Sequence, residues 1–231
     1  DEDVSYRFSL WDENDKDKYI GSPEEWENVQ NRMETILNHL KIDYKKEKGE
    51  AAFYGPKLDI QIKNVHGKED TLITIQIDFQ LAERFGMVYI DKDGNKKYPY
   101  IIHRTSIGCY ERTLALLIEK YAGAFPTWLA PVQVKVLPIS EKQIEYAEKV
   151  TAKLKESGIR VELDDRNEKI GYKIREAQLQ KVPYMIIIGE KEMDSGTISV
   201  RSRDHGELGS QNIEDFIQKV KEEDKNKVLP E

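Results

Sequence analysis

Apolar and polar positions recur along the chain with two different periods. Residues 22–40 carry apolar side chains at three- and four-residue spacing, which predicts an amphipathic helix with Trp26 and Val29 on its buried face. Ser22 to Glu25 has the S-x-x-E form of a capping box, with a proline at the first helical position, so the start of this helix is well marked.

Beyond this helix the period changes to two, which is typical of strands. Residues 58–62 and 73–79 are predicted to be antiparallel strands, and polar side chains occupy the face of the second strand opposite its isoleucines. A further hairpin is predicted at 87–90 and 98–102, followed by a helix at 109–122. The first part of the chain is therefore expected to be an antiparallel sheet with helices.

A stretch with two prolines and no clear period, residues 124–131, separates this pattern from a second one. We predict a domain boundary here, with a first domain at 1–128 and a second at 129–231. In the second domain strands and helices alternate in the order βαβαββα, which predicts a mixed α/β sheet. The predicted strands are 132–137, 159–163, 184–188 and 197–203, and the predicted helices begin near residues 140, 171 and 213.

Composition narrows the possible functions. The 231 residues carry a net charge of -7, which excludes a protein that coats nucleic acid or anionic lipid by bulk charge. A single cysteine, Cys109, excludes an internal disulfide framework and a zinc site of several thiolates, and it fits a reducing compartment such as the cytoplasm. The longest apolar run, near 184–188, is too short to span a bilayer, so no membrane association is expected.

The charge is unevenly distributed, because residues 166–203 contain eight Lys or Arg against five Asp or Glu. Arg201 and Arg203 are predicted to share the face of one strand opposite Ile198 and Val200. Such a surface suits the phosphates and splayed bases of a single-stranded RNA loop. Composition alone favours the alternative that these are ordinary solvated charges.

Residues 100–117 carry the most informative chemistry. A strand leads through Gly108 into a helix whose first turn contains Glu111 and Arg112. The glycine permits a ligand to approach the backbone, and the guanidinium can stack on a base or bind a phosphate. The residues themselves leave two interpretations open: a nucleotide site, or an Arg–Glu pair on an exposed helix start.

Residues 100–117 are similar to motif 3 of the class II aminoacyl-tRNA synthetases, and the whole chain resembles the bacterial-type threonyl-tRNA synthetases of class IIa. The segments that carry the resemblance are 49–57, 74–79, 103–104, 108–112, 125–133 and 165–171. The resemblance implies part of an antiparallel-sheet catalytic domain followed by a mixed-sheet α/β anticodon-binding domain. It also implies ATP-dependent activation of threonine and transfer of threonine to tRNA(Thr), with threonine, ATP and tRNA as partners.

The family's functional positions can be placed residue by residue. Arg112 matches the arginine that stacks on adenine and meets the terminal phosphate of ATP, and Gln76 matches a position near the adenylate; these two are the expected catalytic residues. Tyr54 and Lys57 match the amino-acid side of the pocket, whereas from the residues alone they are a packed aromatic and an exposed lysine. The remaining residues expected to bind substrate or ATP are Gly108, Glu111 and Cys109, the last as pocket wall.

His103 matches one of three protein ligands of the family's zinc, which takes up the amino and hydroxyl groups of threonine. The other two ligands and the motif 2 arginine lie upstream of the family segment that this sequence matches. The chain is therefore expected to be a C-terminal piece with little activity alone, and the cofactors implied are Zn²⁺ and the Mg²⁺ that accompanies ATP.

In the second domain the resemblance implies anticodon contacts. The expected residues are Asn167, Lys169, Asp194, Arg201 and Arg203, although the family usually has Glu where this chain has Asp194. The full-length protein is expected to be a homodimer and this piece a monomer. Two alternatives stay open: a non-catalytic RNA-binding module with a synthetase-like fold, and a class IIa synthetase of another specificity, such as proline.

Overall fold

The computed structural model describes residues 4–229. It divides into two compact units, Asp1–Lys120 and Tyr121–Glu231. The Arg160 guanidinium donates to the backbone carbonyls of Ala130 and Trp128, both at 2.9 Å, which fastens this part of the proline-containing stretch to the second unit. The boundary predicted between residues 128 and 129 stays a prediction.

The first unit is an antiparallel sheet with one parallel edge and helices. Its five-stranded sheet has the order β2-β1-β3-β4-β7, and β1 and β2 are its parallel pair. The elements are β1 (Val4–Leu10), α1 (Pro23–His39), β2 (Lys45–Lys48), β3 (Lys57–Lys63), β4 (Glu69–Asp78), α2 (Leu81–Arg84), β5 (Tyr89–Ile90), β6 (Lys96–Lys97), β7 (Ile101–Arg104) and α3 (Tyr110–Tyr121).

The predicted amphipathic helix is confirmed. α1 begins with the capping box, in which Ser22 and Glu25 bond each other's backbone N–H groups, and its buried side chains follow the helical period. Leu37 is buried, whereas Ile36 is exposed because it lies one position off the buried stripe, and Leu40 is exposed at the C-cap.

The second predicted hairpin is wrong in its pairing. β5 pairs with Lys96–Lys97 to form a separate two-stranded ribbon, and β7 joins the main sheet beside β4. The turn at Asp91 to Asn95 accounts for the tight hairpin, since the Asp91 carboxylate accepts the N–H groups of Asp93 and Asn95 and fixes a short loop.

The second unit has the predicted mixed α/β sheet, with the order β12-β11-β10-β8-β9. β10, β8 and β9 are parallel neighbours, and β11 and β12 are antiparallel. The elements are β8 (Val134–Pro138), a 3₁₀ turn (Glu141–Gln143), α4 (Ile144–Glu156), β9 (Val161–Leu163), α5 (Ile170–Leu179), β10 (Tyr184–Ile188), α6 (Glu190–Ser195), β11 (Ile198–Ser202), β12 (Gly206–Gln211) and α7 (Ile213–Asn226).

The core of the second unit is formed by the parallel strands and the helices that cover them. Every residue of β8 is buried, and α4 and α7 pack the side chains of Leu154 and Phe216 against the sheet. The short α6 and the edge strand β12 are additions to the predicted βαβαββα order. No helix among residues 4–229 is long and apolar enough to cross a membrane.

Candidate active-site groove and RNA-binding loop

A groove of about 320 Å³ lies in the first unit, beside β4, β7 and the start of α3. It brings together five of the residues expected at the substrate site, although they come from three separate segments. These residues are Gln76, His103, Gly108, Cys109 and Arg112. Thr71, Leu72, Thr74, Arg104 and Thr105 complete the lining.

Strand register aligns the polar residues across the sheet. Lys57 on β3 is paired with Gln76 on β4, and Gln76 is paired with His103 on β7. Directly paired residues on neighbouring strands project from the same face. Lys57, Gln76 and His103 therefore form one row, which runs across three strands toward the groove.

Gly108 builds the floor of the groove through its backbone. Its φ is +79°, and an added Cβ would lie 1.9 Å from the Leu72 carbonyl oxygen. Only glycine allows the chain to pass β4 this closely while it turns into α3. As a result the first turn of α3 lies beside β4, where Arg112 donates to the Thr71 carbonyl oxygen at 2.6 Å.

Tyr54 extends this arrangement above Gln76. Its hydroxyl donates to Gln76 Oε1 at 2.5 Å, and its ring centroid lies 5.5 Å from that of His103. Burial, together with the negative charge of Asp78, raises the pKa of Tyr54 above its usual value, so the hydroxyl keeps its proton at neutral pH. Tyr54 thus acts as a fixed donor that orients the Gln76 amide.

His103 is held by a carboxylate that the sequence did not single out as a site residue. Its Nε2 lies 2.9 Å from Oδ2 of Asp78, which is fully buried. The other Asp78 oxygen accepts the backbone N–H groups of Gln80 and Leu81. Asp78 therefore fixes the imidazole of His103 to the end of β4, leaving Nδ1 as the ring nitrogen without this bond.

The residues that the structure describes do not complete a zinc site. Among residues 4–229, no three His, Cys, Asp or Glu side chains are grouped so that they could hold a metal ion. The His103 imidazole is a suitable ligand, but structural and catalytic zinc sites need three or four protein ligands. The described residues alone do not fit the metal.

A second buried carboxylate, Asp59, organises the polar face of the sheet. It accepts hydrogen bonds from Ser9 Oγ at 3.0 Å and Thr74 Oγ1 at 2.8 Å, and it forms ion pairs with Arg7 at 3.1 Å and Lys57 at 3.3 Å. Thr74 lines the groove, and Lys57 begins the row of polar residues. Asp59 thus positions residues on the groove side without itself being exposed.

Two expected site residues lie at the exposed start of α3. Cys109 lines the groove, and its thiol lies 3.1 Å from a Glu111 carboxylate oxygen, to which it donates. This hydrogen bond lowers the pKa of Glu111. Glu111 is not among the residues that line the groove.

In the second unit, the expected RNA contacts divide between a loop and a strand end. Asn167 and Lys169 are exposed in the loop between β9 and α5, and Asp194 is exposed on α6. Arg201 is half-buried on β11 and forms an ion pair with Glu207 at 3.3 Å. The loop is therefore the most accessible part of the expected surface.

Arg203 directly follows β11, and its backbone N–H donates to the Pro183 carbonyl at 2.8 Å. β11 ends at Ser202, and the Arg203 side chain is 12% exposed. Its guanidinium donates to the carbonyls of Phe125 and Lys181, at 2.9 and 3.0 Å, and forms a fork with the Asp204 carboxylate. Ser202, between the two partly buried arginines Arg201 and Arg203, is buried, so the alternation of the strand reaches Arg203. A shared face for the two arginines stays a prediction.

The local positive charge is also smaller than the sequence count indicates. Arg166 forms a bidentate pair with Asp164, and Lys173 is buried with its amino group on two backbone carbonyls. Lys169 and Arg175 are exposed and take part in no ion pair within the part of the chain that the structure describes. Lys169 and Arg175 are therefore available to a polyanion, although the β9–α5 loop also carries the exposed acids Asp165 and Glu168.

Comparisons with known proteins agree with both halves of this description. Residues 12–121 match the family model described as the tRNA synthetase class II core domain (G, H, P, S and T), and residues 133–223 match that of the anticodon binding domain. A threonine–tRNA ligase of Clostridium perfringens (strain SM101 / Type A) is 65% identical over 219 residues, 95% of this chain. This chain belongs to the threonyl-tRNA synthetase family.

Solved structures separate the threonyl-tRNA synthetase family from its prolyl neighbours. The RNA binding domain of a threonyl-tRNA synthetase from Cryptosporidium parvum superposes with a TM-score of 0.83 at 35% identity, covering 95% of this chain and 55% of that chain. A prolyl-tRNA synthetase from the same organism, complexed with L-proline and AMP, gives a TM-score of 0.60 at 25% identity, covering 74% and 37%. The match is thus closer and more extensive on the threonyl side.

The chain spans only part of its threonyl-tRNA synthetase relatives. The 219 matched residues cover 34% of the Clostridium perfringens protein. The activity, substrates and partners of such a complete enzyme are therefore taken up below as proposals for this chain.

Proposed function

We propose that this chain supplies part of the adenylate-forming site and the anticodon-binding domain of an enzyme that ligates threonine to tRNA(Thr). The observation that carries the proposal is the single groove into which Gln76, His103, Gly108 and Arg112 converge from separate segments. These are the positions that match the family's substrate site. Packing alone does not require these residues to meet, because the space between them is an open groove and not a filled core.

The reaction requires positioning rather than a protein nucleophile. The threonine carboxylate attacks the α-phosphorus of ATP, pyrophosphate leaves, and the adenylate passes its threonyl group to a tRNA hydroxyl. Rate enhancement then comes from aligned substrates and neutralised phosphate charge. Arg112 is the proposed cation: it is exposed, and it exchanges the Thr71 carbonyl for a phosphate of ATP, with Mg²⁺ accompanying the nucleotide.

The amino-acid side is proposed to use the row of polar residues. Tyr54 holds the Gln76 amide, and Asp59 holds Lys57, so both groups present fixed polar atoms to a substrate. His103 is proposed to be one zinc ligand of the complete enzyme, with further ligands from outside the described residues. The metal would supply recognition of the threonine amino and hydroxyl groups.

The second unit is proposed to read the anticodon, chiefly through Asn167, Lys169 and Asp194, with Arg201 on β11 as a further contact. Exposure of the β9–α5 loop and of its Lys169 side chain supports this role. The proposal includes a cytoplasmic location and a homodimer for the complete enzyme, with this chain alone a monomer.

Two assays on the purified chain test the proposal. We expect tRNA(Thr) to bind with higher affinity than tRNA(Pro) in fluorescence anisotropy, and threonine-dependent pyrophosphate exchange to be very weak. Equal affinity for the two tRNAs would contradict anticodon recognition. Strong exchange would contradict the expectation that the chain is catalytically incomplete, and exchange with proline instead of threonine would contradict the specificity.

A further inference from the structure

Lys173 is a buried lysine to which neither the family resemblance nor the reaction above assigns a role. It lies in the first turn of α5, and only 2% of it is exposed. Burying an amino group is costly unless its N–H donors find acceptors. A lysine in this place therefore has to be explained by what it bonds.

The two acceptors of Lys173 come from the ends of two parallel strands. Nζ donates to the carbonyl of Pro138, the last residue of β8, at 3.1 Å, and to the carbonyl of Asp164, just after β9, at 2.9 Å. β8 and β9 are parallel neighbours, so their carboxyl ends lie at one edge of the sheet. Lys173 thus joins the first residue of the β9–α5 loop to the neighbouring strand.

From Asp164 a chain of bonds continues through the loop. The Asp164 carboxylate accepts Nε and Nη2 of Arg166, both at 2.7 Å, and the Arg166 carbonyl accepts the N–H of Glu168 at 2.8 Å. At the far end, the Lys169 carbonyl accepts the N–H of Tyr172 at 2.8 Å. The loop is therefore anchored at its first residue and bonded internally up to the start of α5.

Asn167 lies within this anchored loop and shares a small cavity with Lys173. The cavity, of about 20 Å³, is lined by both residues and by Ser140 and Glu168. A loop held in one conformation loses less entropy when it binds a ligand, and its side chains stay in the productive orientation. The buried Lys173 therefore lies close enough to the exposed Asn167 to influence the orientation of its side chain.

We propose that Lys173 is a positioning residue for RNA recognition: by anchoring Asp164 to the end of β8, it holds Asn167 and Lys169 in the orientation that reads a single-stranded loop. The proposal rests on the proposed anticodon recognition by the second unit. Lys173 touches no RNA itself.

The test compares Lys173→Met with Lys155→Met in the full chain. Methionine keeps the unbranched apolar stem but has no N–H donors, and Lys155 is an exposed lysine on α4, so both variants lose the same charge. The probes are an RNA hairpin with the anticodon loop of tRNA(Thr) and the same stem with a shuffled loop. We expect K173M to bind the anticodon loop about tenfold more weakly while its affinity for the shuffled loop matches that of K155M.

Hydrogen exchange gives a second readout that does not depend on RNA. We expect faster amide exchange in residues 164–169 of K173M, with the exchange of β8 and β10 unchanged. A K173M protein that retains the wild-type preference for the anticodon loop, or unchanged exchange of the loop, would overturn the proposal. A wild-type chain that binds both hairpins equally would instead overturn anticodon recognition, and the positioning role with it.

Arg166→Met covers the case in which K173M does not fold. Arg166 is half exposed, so its loss breaks the bond to Asp164 without opening the core. We expect a smaller loss of preference for the anticodon loop than in K173M, about threefold. A folded R166M protein with the full wild-type preference would overturn the proposal on its own.

Discussion

The groove of the first unit and the loop surface of the second unit use polar side chains in different ways. In the groove, Tyr54 contacts both Gln76 and His103 on an open sheet face. The two buried carboxylates described above lie on the same face and fix this row. On the loop surface, most arginine and lysine groups bond the protein's own carbonyls and carboxylates. Arg203 is the extreme case, with four hydrogen bonds to its own chain.

This difference follows from the two backbones. A flat row of paired strand residues projects side chains in one direction and at fixed spacing, so its polar groups are presented together. Loops and strand ends leave carbonyls unpaired, and long cationic side chains satisfy them. A count of basic residues therefore overestimates the charge that a loop surface presents to RNA, whereas a polar strand face keeps its groups available.

The comparison can be tested most strongly at Gly108, where backbone contact builds the groove. Gly108→Ala places a Cβ against the Leu72 carbonyl and also strains a positive φ, and we expect a loss of about 3 kcal/mol or more in the free energy of unfolding. Gly67→Ala is the matched control, because its φ is +75° and nothing lies within 4 Å of an added Cβ. We expect it to cost about 1 kcal/mol.

Urea unfolding in a Trp128→Phe background measures both variants, since the two remaining tryptophans, Trp11 and Trp26, lie in the first unit. The difference between the two variants isolates the close approach of Gly108 to β4. Equal costs would show that the turn moves away from β4 without penalty, and the groove floor would then not depend on glycine.

Part of this architecture was readable from the sequence. The capping box of α1, the alternation in β3 and β4 and the buried run of β10 all follow local periods, and the structure confirms them. β2 consists of four exposed charged residues, and β12 contains two glycines; neither carries an apolar alternation. Both form because a neighbouring strand offers unpaired backbone groups, which no local pattern reveals.

The site was predictable to a similar degree. The family resemblance indicated Gln76 on the polar face of β4, but the pairing of Gln76 with Lys57 and His103 depends on strand register, which the sequence does not encode locally. No feature of the sequence distinguishes Asp59 and Asp78 from other carboxylates on strands. Only the structure shows that they are buried and that they hold the groove residues.

We expect an intermediate loss of stability when an arginine that bonds backbone carbonyls of the second unit is replaced. Arg203→Met leaves the carbonyls of Phe125 and Lys181 without their donor, and we expect it to lower the free energy of unfolding by about 1 to 2 kcal/mol. Arg201→Met removes one ion pair to a highly exposed Glu207 and should cost less than about 1 kcal/mol.

Thermal unfolding and RNA anisotropy on the same two variants separate structure from recognition. The family resemblance predicts that loss of Arg203 also weakens RNA binding, by about 1 to 3 kcal/mol if it reads a base. A variant of Arg203 with unchanged stability and weakened RNA binding would return this residue to the recognition surface. The loop surface would then keep this arginine available to RNA, as the groove keeps its polar groups available to a substrate.

The smallest expected effect concerns pH and the Asp164–Arg166 pair at the loop. The Arg166 guanidinium lowers the pKa of Asp164 below its ordinary 3.8, with burial opposing the shift. A carboxylate whose pKa is lower in the folded protein adds stability above its unfolded pKa, and that contribution disappears as the pH falls through the folded value. Because Arg166 is half exposed, water screens the pair, and we expect less than about 1 kcal/mol.

Urea unfolding of the wild type and Asp164→Asn between pH 7 and pH 3 measures this contribution. The stability difference between the two proteins should be constant near neutral pH and shrink below about pH 4, as Asp164 takes up a proton. Asp165→Asn removes a carboxylate from the adjacent exposed position and serves as the control, with a difference from wild type that stays small throughout. A gap for Asp164→Asn that does not change with pH would show that the pair contributes nothing through its charge, and the loop would then be held by the Lys173 anchor alone.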